Sequence, residues 1–139
     1  MLPQPYVTAA LGKLEQTRIA LDVTEEWGKV SDTALITSAI FVRNAFLEEN
    51  PDAVARFMSD FAESAAFVNS DIETAAAIIG GYGIVNEAVA KKAIPYCHIV
   101  CLTGDEMIAA AQAWLTVLLA EKPASVGGAL PEKGFYYQP

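Results

Sequence analysis

The feature that most constrains the fold is a β-branched run followed directly by a long amphipathic pattern. Residues 32–46 are rich in Ile, Thr and Val, which favour strands. Asn50 and Pro51 then resemble a helix start, because Asn caps free backbone N–H groups and Pro has none to lose at the first helical position. Apolar side chains recur at every third or fourth position from Val54 onward, which predicts a helix over 51–68.

The rest of the chain repeats both signals. Capping residues and apolar periodicity predict three more helices, at 71–79, 86–93 and 104–121. The predicted capping boxes pair Ser70 with Glu73 and Thr103 with Glu106. Short β-branched runs predict strands over parts of 17–22, 34–43 and 97–102. We therefore predict an α/β fold in which a short sheet is packed by several helices.

Composition narrows the class of protein. A chain of 139 residues is long enough to bury one sizeable core. Its net charge of −8 predicts no nucleic-acid partner, because phosphate binding needs clustered Lys and Arg. No secretory signal or membrane span is recognisable, since the longest apolar run, 107–120, is short and is interrupted by Gln112. Taken alone, these features indicate a cytosolic protein.

The reactive side chains do not form a recognisable catalytic set. Cys97 and Cys101 would lie roughly 13 Å apart in a strand, beyond the roughly 7 Å limit for a disulfide, so we expect free thiols. His98 is the only histidine, and its place in an apolar predicted strand favours a packed or edge residue over a catalytic base. We predict no catalytic residue, no metal site, no cofactor and no enzymatic activity.

Several segments resemble, in order, the substrate-binding proteins of bacterial ABC importers. The matching branch binds nitrate, sulfonate, taurine and thiamine-pyrimidine-like solutes. Its pattern is a strand ending in arginine, then FLEENPEAV, a long helix and N-x-x-x-E-A-A; this chain has FVRNAFLEENPDAV, with Asn69 and Glu73 in the last element. AIPYCHIVCLTGDEM and VGGALPEKGFYY are similar to the closing segments of a lipoprotein subgroup. LPQPYVTAAL resembles that subgroup's L-P-E-P segment, with Gln4 where Glu is common.

The resemblance implies a periplasmic-binding-protein type II fold, of which this chain would be the C-terminal part. Residues 1–43 would be a connector or hinge segment from the second lobe, and residues 44–139 the C-terminal lobe portion with terminal helices and an aromatic tail. The parent would be an extracytoplasmic protein, periplasmic or anchored as a lipoprotein. It would capture a small-molecule solute between two lobes and deliver it to the permease and ATPase subunits of the importer.

The resemblance also points to ligand-binding residues. Gln4, Pro5 and Tyr6 would lie at the exit of the second lobe, and Thr37 and Ser38 interrupt an apolar strand where they would face the ligand or the hinge. Gln4 in place of Glu argues against recognition of a positively charged group. Two alternatives remain open. One is the ligand-sensing domain of a regulator, and the other is an enzyme related to thiamine-pyrimidine precursor synthases.

A partial lobe would leave strand edges and apolar surface uncovered. Unpaired edges are templates for pairing with another chain, and exchange of a segment between copies restores existing complementarity. We therefore expect a homodimer in which residues 1–43 are exchanged or paired, with an interface above the roughly 1,600 Å² of a standard complex.

Overall fold

A computed structural model describes residues 1–138, and all of its regular structure is helical. The helices are α1 (Tyr6–Lys13), α2 (Val23–Gly28), α3 (Asn44–Glu49), α4 (Pro51–Ser70), α5 (Ile72–Gly81), α6 (Glu87–Ala93) and α7 (Gly104–Glu121). Short 3₁₀ turns lie at Ile94–Tyr96, Pro123–Val126 and Lys133–Phe135. Residues 1–138 contain no strand, so the predicted α/β fold, a partial type II lobe with a short sheet, is wrong.

The segments predicted as strands are irregular because nothing pairs with them. Residues 17–22, 34–43 and 97–102 lie outside every helix. No backbone–backbone hydrogen bond joins residues 34–42 to another part of the described chain. Strand propensity measures how well a side chain fits a pleated, half-buried surface, and that surface exists only when neighbouring strands supply it. These segments therefore have the composition of strands, but the prediction that they form a sheet is wrong.

The four helices predicted from periodicity are present. Helix α4 begins at the predicted Pro51 and ends at Ser70, two residues beyond the predicted end. Helix α7 spans the predicted 104–121. Helices α5 and α6 differ from prediction by one or two residues at their ends, as helix termini commonly do.

The residues that cap these helices differ from prediction more than the helices do. Asn86 caps α6 as expected, since its Oδ1 accepts a hydrogen bond from the Ala88 N–H at 2.9 Å. Helix α5 is capped by Asp71 instead of the Ser70 box. Its carboxylate accepts from the backbone N–H and the hydroxyl of Thr74, and these two bonds lower the pKa of Asp71. Thr103 precedes α7 without a side-chain capping bond.

Contacts between residues divide the chain into two compact units. Unit 1 comprises residues 1–19 and 51–101, and unit 2 comprises residues 20–50 and 102–138. Residue 43 lies within unit 2, so the units do not coincide with the proposed division at that residue. That division concerns functional roles and stays a prediction.

The core of unit 1 is built from small side chains where α5 packs against α6. Its buried residues are Ala75, Ala76, Ala90 and Ile94, with Val68, Ile72, Ile79 and Val85 packed around them. Gly80 permits this close packing, because a Cβ at that position would lie 2.9 Å from the Cβ of Glu87 on α6. Lys91 and Glu73 form an ion pair across the same two helices.

Unit 2 is organised around α7 and its aromatic contacts. The indole rings of Trp27 and Trp114 pack edge to face with centroids 5.0 Å apart. Phe41 packs against Phe135 in a similar geometry, with centroids 6.2 Å apart. Tyr136 is buried, whereas the large apolar side chains of α7 are only half-buried. Unit 2 therefore holds together mainly through a few aromatic pairs and partly covered aliphatic side chains.

Candidate functional site

The turn that begins unit 1 places Gln4 against the first turn of α1. Gln4 Oε1 accepts hydrogen bonds from the backbone N–H of Thr8 at 3.3 Å and from its hydroxyl at 2.8 Å. Pro5 precedes the helix, and its carbonyl oxygen accepts the Ala9 N–H at 3.0 Å. The Tyr6 side chain is 64% exposed. Gln4 and Pro5 thus form the helix start, while the Tyr6 ring is free to contact another molecule.

Thr37 and Ser38 lie in unit 2 and are exposed. Neither side chain forms a hydrogen bond within residues 1–138. They belong to a different unit from Gln4, Pro5 and Tyr6, so each group is described by itself. The assignment of all five residues to ligand binding stays a prediction.

A shallow groove lies where α1 packs against α6 in unit 1. Its cavity has a volume of about 210 Å³ and is lined by Thr8, Ala9, Gly12, Lys13, Ala88, Val89 and Lys92. Lys13 ends α1 and Lys92 lies in the last turn of α6, so two exposed lysines contribute to the lining beside small apolar side chains and Thr8. Gln4 is connected to this groove through its hydrogen bonds to Thr8. We define these residues as the α1–α6 groove.

Sequence analysis did not identify the α1–α6 groove. Residues 8, 9, 12 and 13 share one helical face, a spacing that was visible in the sequence. Their counterparts on α6 lie far away along the chain, and only the folded unit brings Lys92 beside them. Two lysines in one lining suit an anionic group such as a carboxylate, sulfonate or phosphate, because ammonium groups are hydrogen-bond donors with a positive charge.

A second cavity, in unit 2, has no charged residue in its lining. It has a volume of about 240 Å³ and is lined by Leu115, Leu118, Ser125, Val126, Ala129, Pro131 and Phe135. Gly127 and Gly128 between these residues both have positive φ, a conformation that glycine adopts readily. The Ser125 hydroxyl donates to the Lys122 carbonyl oxygen at 2.7 Å, so it is already occupied. This cavity offers no charged group to orient a ligand.

The cysteine–histidine segment holds two free thiols beside an exposed histidine. Both cysteines are free, which confirms that prediction, although they do not lie in a strand. The Cys97 thiol lies 3.3 Å from the Ala93 carbonyl oxygen, and burial raises its pKa. His98 is exposed and has φ of 49°. Within residues 1–138, no three His, Cys, Asp or Glu side chains are grouped to hold a metal ion.

Comparison with known proteins adds no relative. No family model, curated protein or solved structure matches this chain. The resemblance to importer binding proteins therefore stays a prediction. In the part of the chain that the structure describes, no helix combines the length and the apolar character needed to cross a membrane.

Proposed function

We propose that this chain belongs to the solute-binding component of a bacterial ABC importer and acts outside the cytoplasm. It captures a small anionic solute for delivery to the permease and its ATPase. The order of the resembling segments along the sequence supports the assignment to this class. The observation that carries the proposal is the α1–α6 groove, because the segment resembling L-P-E-P forms the start of α1 and contributes Thr8 to it.

The groove favours anionic solutes for a simple electrostatic reason. Lys13 and Lys92 are both cations, and no carboxylate lines the cavity. The Thr8 hydroxyl already donates to Gln4, so the lysine ammonium groups are the donors left for an anion. An anion held by both lysines would replace part of its hydration with charge-assisted hydrogen bonds.

The size of the groove limits what it can bind. Sites for whole small molecules usually enclose roughly 300–1,000 Å³, whereas this cavity measures about 210 Å³. It therefore accommodates the anionic head group of a solute and leaves the remainder exposed. We expect weak binding by this chain, because the groove encloses only part of a solute.

Isothermal titration with methanesulfonate, acetate and inorganic phosphate tests the proposal. The key variant is Lys92→Gln, which removes one cation from the groove. Lys91→Gln is the matched control, because Lys91 lies next to it on α6 but pairs with Glu73 and does not line the groove. We expect Lys92→Gln to weaken binding at least tenfold and Lys91→Gln to leave it within twofold. Equal loss in both variants, or no binding of any anion, would contradict the site.

The importer assignment has its own test. Genes for a permease and an ATPase are expected beside the gene for this chain, and a thermal-shift screen of the complete parent should show stabilisation by an anionic solute. Absence of both results would refute the class. The regulator and the precursor-synthase alternatives stay predictions, because nothing observed in residues 1–138 favours either.

A further inference from the structure

Residues 33–42 form a segment of unit 2 whose backbone N–H and C=O groups have few hydrogen-bond partners. Their sequence, TALITSAIFV, contains no charge, no Pro and no Gly. Residues 34–42 make no backbone–backbone hydrogen bond with any other part of the described chain. The side chains of Ile40 and Phe41 are 54% and 76% exposed. High β-propensity, no charge and free backbone groups are the properties of a segment that pairs with another strand.

The segment is fixed near both ends within unit 2. The Trp27 indole N–H donates to the Thr33 carbonyl oxygen at 2.7 Å, and the same indole packs against Trp114. Near the other end, the Phe41 ring packs against Phe135. Anchoring at two points reduces the conformational freedom that the intervening residues would lose on pairing. Thr37 to Phe41, which lie between or at these anchors, are exposed and available to a partner.

We propose that residues 33–43 are a docking strand for the same strand of a second copy of this chain, in antiparallel orientation. The flanking charges select both the partner and the orientation. Asp32 precedes the uncharged run and Arg43 follows it. Antiparallel pairing of two copies brings the Asp32 end of each strand next to the Arg43 end of the other. Parallel pairing in register would instead place like charges side by side, which is unfavourable.

Symmetry specifies the register. In a twofold-symmetric antiparallel pair, opposed residues lie on the same face of the sheet, so the axis must pass a residue that faces its own copy. An axis at Ser38 pairs Ile36 with Ile40 and Leu35 with Phe41. An axis at Thr37 would pair Ile36 with Ser38 and leave Phe41 opposite Thr33. Apolar and aromatic cross-strand pairs are the more stabilising ones, so the axis lies at Ser38.

Disulfide trapping tests the register directly. Ser38→Cys and Thr33→Cys are compared in a chain whose native thiols are removed by Cys97→Ala and Cys101→Ala. In the proposed pair the two Cβ atoms at position 38 lie roughly 5 Å apart, and those at position 33 lie roughly 33 Å apart. We expect Ser38→Cys to form a covalent dimer under mild oxidation and Thr33→Cys to remain monomeric on a non-reducing gel. Equal trapping at both positions, or none at position 38, would overturn the proposal.

Sedimentation equilibrium tests the association itself. We expect a species of twice 14.8 kDa at concentrations of tens of micromolar. Ser38→Pro and Ala39→Pro remove adjacent backbone donors, and only one of these faces the partner strand. One of the two should therefore weaken the dimer at least tenfold, whereas Ser38→Val keeps the donor and should preserve it. All three variants should keep the helical circular dichroism, because positions 38 and 39 lie outside every helix. A monomer at 100 μM, or a dimer indifferent to both proline substitutions, would refute the inference.

The tests of dimerisation are independent of the tests of solute binding. A dimer that binds no anion would contradict the proposed function alone, and a monomer that binds an anion would contradict the docking strand alone. If a partner strand from another polypeptide occupies the segment instead, the isolated chain will be monomeric and the proposal fails.

Discussion

Substitution of Gly80 by Ala tests whether the close approach of α5 and α6 holds unit 1 together. A Cβ at this position would lie 2.9 Å from the Glu87 Cβ, 3.2 Å from its backbone nitrogen and 3.3 Å from its Cα. Two of these three atoms belong to the backbone, so a rotamer change cannot relieve the clash. The helices must separate instead, at the point where the small-residue core depends on their contact.

Two opposing effects determine the magnitude. Ala is the better helix former and would stabilise α5 by about 1 kcal/mol. Overpacking of a tight contact costs about 1–3 kcal/mol. At Gly81, the next residue in α5, a Cβ would meet nothing within 4 Å, so only the favourable propensity effect applies. The difference between the two variants therefore isolates the packing cost, about 1–3 kcal/mol.

Urea unfolding followed by circular dichroism at 222 nm measures this difference. With a urea dependence of about 2 kcal/mol per molar, the midpoint of Gly80→Ala should lie about 0.5–1.5 M below that of Gly81→Ala. Fluorescence of Trp27 and Trp114 follows unit 2 in the same samples. A Gly80→Ala protein as stable as the Gly81→Ala protein would refute the close approach.

Three further predictions concern individual hydrogen bonds and one thiol. Asn86→Ala should lower the free energy of unfolding by about 1 kcal/mol in urea titrations, because it removes the cap of α6, while Asn86→Asp should retain the stability. The exposed Asn69 amide donates to the carbonyl oxygen of Ile99 at 2.9 Å, so Asn69→Asp, which places a carboxylate there, should cost about 0.5–1.5 kcal/mol. Amide exchange near that residue should increase, and unchanged exchange would argue against the contact. Burial raises the pKa of Cys97 above its ordinary value of 9.0, so the stabilisation from the neutral thiol is complete below that pH and is lost as pH rises through the folded value. Alkylation of Cys97 should accordingly have a higher pH midpoint in the folded chain than in urea, and equal midpoints would contradict its burial.

The sequence by itself determined the four longer predicted helices, α4 to α7, because the interactions that define them are local; it did not predict α2 or α3. The hydrogen bonds of an α-helix join residues four apart, so Pro51 at the start of α4 and Asn86 at the start of α6 carry their information within one turn. Periodicity then predicted how far α4 and α7 extend. Choices between adjacent capping residues, such as Asp71 over Ser70, depend on small differences in local geometry that the sequence pattern does not resolve.

The tertiary structure decided everything that requires a distant partner. Residues 34–43 have the composition of a strand, but a strand needs backbone bonds from another segment, and none within residues 1–138 provides them. The α1–α6 groove likewise exists only because packing brings Lys13 and Lys92 together. Propensity is a property of a residue and its neighbours in sequence. Strand pairing and the geometry of a site depend on contacts between surfaces, and in this chain those surfaces come from segments far apart in the sequence.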